Sequence, residues 1–156
     1  MARTGLRMAS RSLWQSSQGE KDRLHYPPGK VLYETTGWVT DVRVSPKGDR
    51  IAFLDHPILG QIAGSVAVLD LTGKKTTLSS GWKAVLGLAW SATGDEIWFT
   101  GSAVGPIAHS LRAVSLAGRE REIFQSPGNL ILADISRDGR RVLLRDNNYG
   151  KNAAVW

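Results

Sequence analysis

Three histidines are the side chains of this sequence best suited to acid–base or metal chemistry, and they stand far apart, at His25, His56 and His109. Their spacing matches none of the close pairings that are typical of zinc sites. Each is explained more simply as a surface or loop residue. The chain also has no cysteine, which excludes disulfides, thiolate metal sites and a cysteine nucleophile. The sequence therefore predicts no metal site and no cofactor.

Two glycine-containing stretches come close to known catalytic motifs, and each departs from its motif at a required position. Gly73-Lys74-Lys75 has a lysine where a phosphate-binding P-loop needs serine or threonine. In the segment Gly101–Gly105 the serine comes one position too early for the nucleophile motif G-x-S-x-G. We find no catalytic constellation in the sequence and expect a chain that is not itself an enzyme.

The elements that must position any functional residue are set by a repeat. The segment VSPKGDRIAF (Val44–Phe53) recurs as WSATGDEIWF (Trp90–Phe99) and ISRDGRRVLL (Ile135–Leu144). The offsets are 46 and 45 residues. A fixed period of this length marks a repeat architecture, which must be recognised before any local motif is interpreted.

Each repeat reads as four short strands. The first unit has an apolar strand, a Gly-Asp turn, a second apolar strand, a partly alternating third and a polar fourth. These segments are Val39–Ser45, Ile51–Leu54, Val66–Leu71 and Lys75–Ser79. Four strands in about 45 residues, running from an apolar inner strand to a charged outer one, are typical of a propeller blade. A helical repeat is disfavoured, because no segment keeps a helical period for three turns.

The predicted fold is therefore all-β, a partial β-propeller of four-stranded antiparallel blades. It has about three blades and is incomplete at both ends, because closed propellers have roughly 4–8 blades. Residues 26–156 form the predicted propeller, with an outer strand at 30–37, a blade at 38–80, a blade at 82–126 and an incomplete blade at 129–156. Residues 1–25 are either a basic, poorly ordered tail or the remnant of a preceding blade. We expect a fragment, or a chain that associates with itself through its open blade edges.

Charge and hydropathy limit the partners. The net charge is +6, but residues 1–30 carry six basic and two acidic residues, and the remainder is nearly balanced. We therefore expect no nucleic-acid partner. No segment approaches the roughly 18 apolar residues of a membrane helix, and the N-terminus lacks the apolar core of a secretory signal. The compartment stays open between cytoplasmic and the extracytoplasmic part of a membrane-tethered parent.

The repeated segment resembles a known motif. SPKGDRIAF (Ser45–Phe53) is similar to the signature (S)-P-D-G-x-x-I/L-A-F/Y of the bacterial WD40-like, or PD40, repeats of TolB-type propellers. SATGDEIWF (Ser91–Phe99) lacks the proline, and SRDGRRVLL (Ser136–Leu144) lacks both the proline and the final aromatic residue. The resemblance covers about residues 30–156 and implies a propeller that binds other proteins.

A narrower resemblance concerns residues 26–57 and 80–100. They are similar to propeller segments found C-terminal to the kinase domain in bacterial eukaryotic-like serine/threonine protein kinases. The sequence contains no H-R-D loop, no D-F-G motif and no glycine-rich loop with its lysine strand, so kinase activity is carried over to no residue. The resemblance implies the sensor or interaction part of such a chain.

Propeller geometry predicts where a binding face would lie. The loops that join strands two and three, and those that join blades, share one end of the molecule, and function usually sits on such loops. The candidate binding face consists of Trp38, Asp55, His56, Trp82, His109, Asp146, Asn147 and Tyr149. Two structural alternatives stay open: packing between blades for the tryptophans, and capping of the strand exits by Asx turns for Asp55 and Asp146.

The function predicted from the sequence is a non-catalytic propeller module that binds a protein or peptide partner, within a larger bacterial sensor or signalling protein. The alternatives are the non-catalytic C-terminal part of a serine/threonine kinase, or a propeller that gates a peptidase. No sequence feature names the ligand.

Overall fold

The computed structural model describes residues 4–8, 11–19, 21–105 and 110–146, with side chains from Gln15 onward except Gln18. Within these ranges every regular element is a strand. The first seven strands are β1 (Thr4–Met8), β2 (Arg11–Gln18), β3 (Lys21–His25), β4 (Val31–Thr35), β5 (Trp38–Val44), β6 (Arg50–His56) and β7 (Gly64–Asp70). The others are β8 (Lys75–Trp82), β9 (Ala84–Trp90), β10 (Glu96–Ser102), β11 (Ser110–Ser115), β12 (Glu120–Gln125), β13 (Leu130–Ile135) and β14 (Val142–Asp146).

The strands form four antiparallel sheets, each a simple meander in chain order. Blade I is β1–β4, blade II is β5–β8, blade III is β9–β12, and blade IV is the pair β13–β14. The sheets do not close into a ring. The predicted all-β partial propeller of four-stranded antiparallel blades is therefore confirmed. In the part of the chain described here, no helix is long and apolar enough to cross a membrane.

The core lies between the blades rather than inside any one of them. Successive side chains of a strand point to opposite faces of its sheet, so β6 contributes to two clusters. Ile51 and Phe53 pack with Leu24 and Leu32 of blade I. Ala52 and Leu54 pack instead with residues of blade III, in a cluster that includes Leu88, Trp90, Ile97 and Phe99. A third cluster joins blades III and IV through Ala89, Leu111, Leu130, Leu132 and Leu144.

Burial falls from the inner strands to the outer ones. Six of the seven residues of β6 are buried, whereas no residue of β12 is. The charged outer strand β12 suits an edge position, because charged side chains discourage pairing with another sheet. Any site near the inner strands is consequently held by the most rigidly packed part of the molecule.

The repeated sequence segment forms the hairpin between the first two strands of blades II, III and IV. In each hairpin the N–H of the glycine donates to the carbonyl of the serine three residues earlier, over 2.8–3.0 Å. The three glycines have φ of 71–75°. The left-handed region is open to glycine at little steric cost, which explains the glycine in every copy. Those glycines are Gly48, Gly94 and Gly139.

Neighbouring hairpins stack against one another. The Cβ position of Gly94 lies 3.2 Å from Pro46 of the preceding hairpin, and that of Gly139 lies 3.2 Å from Ala92. The residue after the repeated serine therefore contacts the glycine of the next blade. This stacking aligns the three hairpins at one end of the inner strands, where the repeats place equivalent residues side by side.

The inner strands also contact each other directly. The ladder between β9 and β10 is interrupted at Gly87, which has a φ of 70°, and a Cβ built there would lie 2.1 Å from the carbonyl oxygen of Leu132. The N–H of Leu132 donates to Thr100 Oγ1 over 3.3 Å. Only glycine permits this approach of two backbones, so blades III and IV meet through main-chain atoms.

Candidate functional site

The described members of the predicted binding face lie at the end of the blades opposite the inner hairpins. Trp38 pairs with His56 across the β5–β6 ladder, and Val39 pairs with Asp55. Asp146 ends β14 and pairs with Leu130. His109, Asn147 and Tyr149 lie outside the described residues. The structure thus brings Trp38, Asp55 and His56 into one strand pair, and whether they bind a ligand stays a prediction.

The His56 side chain is fully buried. Its Nδ1 lies 3.1 Å from the carbonyl oxygen of Ala63, and its Nε2 lies 3.0 Å from Thr40 Oγ1. Since a carbonyl only accepts, Nδ1 carries the hydrogen in this arrangement and Nε2 accepts from the threonine hydroxyl. Burial lowers the pKa of His56 below its ordinary value and outweighs the hydrogen bond to Ala63 and the nearby carboxylates. His56 is therefore a neutral, satisfied interior group, not the surface or loop residue expected from the sequence.

Asp55 joins two blades by a hydrogen bond and forms an ion pair inside its own blade. Its carboxylate accepts from the Tyr33 hydroxyl of blade I over 3.1 Å and forms an ion pair with Lys75 of blade II. Burial opposes the charge on Lys75, but the bonds to Asp55 and Tyr33 outweigh it and raise the pKa of the lysine. The Asx-turn alternative for Asp55 is wrong, because its oxygens bond to these side chains.

The two tryptophans of the predicted face have different roles. The indole of Trp82 packs edge-on against Phe99 of blade III, with ring centroids 5.4 Å apart, and Arg112 stands 5.2 Å from its ring. Trp82 therefore packs between blades. The Trp38 ring lies 4.8 Å from that of His56, and its N–H donates to the carbonyl of Gln61 over 3.0 Å. Trp38 therefore packs within blade II.

Trp38 and Trp82 each follow a glycine in the sequence, but the ladder registers show that they are not equivalent. In blade II, Trp38 pairs with His56. The equivalent of His56 in blade III is Ser102, and its partner in the ladder is Ala84. Trp82 instead ends β8 and pairs with Gly64. The two tryptophans are 44 residues apart, whereas the first two hairpins are 46 residues apart. The tryptophans therefore occupy different positions in the repeat.

Apolar side chains are exposed on the loops at this same end. Ile58 and Leu59 follow β6 and are 54% and 73% exposed, and Val104 follows β10 and is 89% exposed. The N–H of Val85 donates to the carbonyl of Ile62 over 2.9 Å, which fastens the first of these loops to blade III.

A groove of about 440 Å³ lies at the other end, across the inner hairpins of three successive blades. It is lined by equivalent positions of the repeat: Arg43, Val44 and Pro46 of blade II, Ala89, Trp90, Ser91 and Ala92 of blade III, and Asp134, Ile135, Ser136 and Arg137 of blade IV. Its volume is within the range of small-molecule and peptide pockets. Sequence reasoning missed this groove, although the 46-residue offset from Arg43 to Ala89 would have aligned its lining residues.

The groove combines an apolar lining with arginines. Trp90 is 8% exposed and donates its indole N–H to the carbonyl of Arg43 over 3.1 Å, so the ring is fixed. The Arg43 guanidinium donates to the carbonyl of Val42 over 3.1 Å and is half-buried. Arg137 on blade IV is exposed. Such a surface suits a ligand that has both an apolar and an anionic part.

The aspartates around the groove are engaged by their own hairpins. Hydrogen bonds from Ser45 to Asp49, from Thr93 and Ser91 to Asp95, and from Ser136 to Asp138 lower the pKa of each carboxyl. Asp134 accepts from the N–H of Ile135 over 2.8 Å. The carboxylates of Asp49, Asp95 and Asp138 are therefore ionised at neutral pH and stabilise the turns.

One serine–histidine contact has the composition of a nucleophile and its base. Ser16 Oγ lies 2.9 Å from His25 Nε2 across β2 and β3. A working triad also needs a group that orients the other ring nitrogen and donors for an oxyanion. Among the described side chains, none bonds to Nδ1 of His25. Nor do the described residues include a group of three or more His, Cys, Asp or Glu side chains that could hold a metal.

Comparison with known proteins identifies the fold. No family model matches the chain, and no curated protein matches it. A structure from a study of two prolyl endopeptidases gives a TM-score of 0.71 at 19% identity, over 90% of this chain and 25% of that chain. TolB from Acinetobacter baumannii gives 0.60 at 14% identity, over 94% and 38%. A putative TolB from Agrobacterium tumefaciens gives 0.63 at 17% identity, over 90% and 52%.

These identities are too low to carry over an activity, and the chain spans a quarter to a half of the structures it resembles. What the three share with this chain is backbone architecture. The chain therefore has an open β-propeller fold, similar to that of TolB structures.

Proposed function

We propose that this chain is a non-catalytic propeller module that binds a protein or peptide partner through the groove across its inner hairpins. The observation that carries the proposal is the groove itself, of about 440 Å³ and lined by Trp90, Val44 and Ile135 beside Arg43 and Arg137. A concave apolar surface with a few fixed polar groups is the usual form of a recognition site. Here it is held by inner strands that pack on both faces.

The groove is a stronger candidate than the loop face predicted from sequence. His56 is buried and fully bonded, Asp55 is paired with Lys75, and Trp82 packs between blades. These side chains are already engaged in contacts within blade II or between neighbouring blades. In the groove, by contrast, Arg137 is exposed and forms no hydrogen bond or ion pair with the described residues of the surrounding hairpins, so its charge is available to a ligand.

The wider context is also a proposal. We place the module in a larger bacterial sensor or signalling protein, on the basis of the kinase-associated resemblance of residues 26–57 and 80–100. A second candidate is a propeller that gates a peptidase, and what favours it is the shared fold with prolyl endopeptidases. Association with a second copy through an open blade edge is a further arrangement that suits β14, the outermost described strand of blade IV.

The test is selection of peptides from a random displayed library on the immobilised wild-type chain, followed by affinity measurements on two matched variants. Ile135→Glu places a charge in the groove, and Ile123→Glu places the same charge on the outer strand β12. Both isoleucines are half-buried against the same cluster, so their effects on stability are comparable.

We expect the selected peptides to lose at least about tenfold in affinity with Ile135→Glu and to keep their affinity with Ile123→Glu. The proposal fails if the library yields no binder. It fails equally if the two variants bind the selected peptides alike once both are shown by circular dichroism to be folded.

A further inference from the structure

The two arginines of the groove differ from three other arginines of the chain, which are paired with carboxylates. Arg23, Arg112 and Arg121 each form an ion pair with a glutamate. Among the described residues, neither Arg43 nor Arg137 forms an ion pair, and the contact of the Arg43 guanidinium is with a neutral carbonyl. Both guanidinium groups therefore keep most of their donors free, and each can bind a carboxylate with two parallel hydrogen bonds.

The placement of the two arginines suits one ligand. Arg43 belongs to blade II and Arg137 to blade IV, and the blade between them supplies Trp90 and Ala89. A bound segment that crosses the groove would thus meet an apolar surface in the middle and a cation at either side. Val44 and Ile135 extend the apolar surface toward each arginine.

The acidic groups nearby offset the charge of the arginines only in part. Asp49 and Asp138 are bonded by the serines of their own turns, and Glu96 is paired with Arg121. Asp134 lines the groove, but one of its oxygens accepts from the backbone of Ile135. The lining thus holds two arginines and one aspartate, and this excess of positive charge favours a negative ligand.

We propose that the groove recognises an acidic peptide segment in which an aromatic or aliphatic residue is flanked by carboxylates. The apolar side chain packs beside Trp90, and the flanking carboxylates pair with Arg43 and Arg137. This inference rests on the proposed function and adds the chemical class of the partner.

The test uses three fluorescein-labelled decapeptides. The acidic probe has a Trp-Leu centre flanked by two aspartates on each side and is blocked at its C-terminus. The amide probe has asparagine at the four aspartate positions. The third probe is the amide probe with a free C-terminal carboxylate. It shows whether the groove recognises aspartate side chains or the carboxylate at the end of a chain.

Anisotropy titrations compare the wild type with Arg43→Gln/Arg137→Gln. The control is Lys74→Gln/Arg119→Gln, which removes the same charge from two exposed residues of the outer hairpins. Because Arg43 also bonds to its own strand, Arg137→Glu is a second variant at a position with no such contact.

We expect the acidic probe to bind the wild type at least about tenfold more tightly than the amide probe, as two charge-assisted bonds allow. That preference disappears in the arginine double variant and in Arg137→Glu, survives in the control, and weakens as salt rises. Equal binding of all three probes, unaffected by loss of the arginines, overturns acidic recognition and leaves peptide binding standing. Failure of every probe and of every library peptide to bind overturns the proposed function as well.

Discussion

A serine hydroxyl closes each inner hairpin. Ser91 Oγ donates to Asp95 over 2.9 Å and accepts from the N–H of Glu96 over 3.1 Å. Ser45 and Ser136 likewise accept from the N–H five residues on in their own blades. Proline follows the serine in only one of the three copies. The hairpin survives the loss of proline because the serine and the glycine, not the proline, define the turn.

Ser91→Ala should therefore destabilise the chain by about 1–2 kcal/mol, since the change removes one hydrogen bond and leaves the Glu96 N–H without its acceptor. Urea denaturation measures the difference. Ser80→Ala on the exposed side of β8 is the matched control, with an expected effect within about 0.5 kcal/mol. Equal losses from the two changes would show that the hydroxyl bonds of Ser91 contribute nothing.

His56 should make the stability of the chain depend on pH. Its pKa is lowered in the folded state, so below the ordinary value of 6.5 the unfolded chain binds a proton that the folded chain resists. The stabilising contribution of neutral His56 is present above that pH and is lost as the pH falls toward the folded pKa, by up to about 1.4 kcal/mol per pH unit. Replacing His56 by Gln should reduce the difference in unfolding free energy between pH 7 and pH 5. If the difference is as large in the variant as in the wild type, groups other than His56 cause it.

At the scale of strands and hairpins, the sequence predicted the features that depend only on residues close together in the chain. Gly48, Gly94 and Gly139 occupy turns of one geometry, as their spacing predicted. The interior position of His56 was not predictable, because it depends on a threonine, a carbonyl and a tryptophan that only the β5–β6 register brings together. The groove was missed because its lining comes from three blades, which meet only in the folded chain.

The close approach of β9 and β13 predicts different costs at two glycines. Gly48→Ala meets nothing within 4 Å and should cost about 1 kcal/mol, from the left-handed backbone alone. Gly87→Ala has a similar φ, but its new Cβ would lie 2.1 Å from a main-chain oxygen, so it should cost at least about 1–3 kcal/mol more. Thermal unfolding of the two variants compares them, and similar losses would refute the backbone contact between blades III and IV.

Across the whole molecule, blades are joined by apolar clusters that each sheet shares with its neighbours and by a few polar links. The link of Asp55 with Tyr33 and Lys75 is the most buried of the ion-pair contacts described, with side chains 12% exposed for Asp55 and 29% for Lys75. The ion pair of Lys21 with Glu34 lies within blade I and is 49% and 35% exposed. The two pairs therefore differ in how much water screens them.

Lys75→Met should destabilise the chain by about 1–2 kcal/mol, because it leaves the Asp55 carboxylate without its cation in a largely dry place. Lys21→Met should cost no more than about 1 kcal/mol, as exposed pairs do. Guanidinium denaturation at fixed ionic strength gives both values. A cost for Lys75→Met no larger than that for Lys21→Met would show that burial does not strengthen this ion pair.

Recognition through the inner-hairpin groove is tested most directly by the indole N–H signals of the tryptophans in a nitrogen-15 spectrum. Trp90 lines the groove, whereas Trp38 lies at the opposite end of blade II, and Trp→Phe variants assign each signal. Addition of the acidic decapeptide should move the Trp90 signal and leave that of Trp38 in place. Movement of the Trp38 signal with a stationary Trp90 signal would place binding on the loop face and contradict the groove.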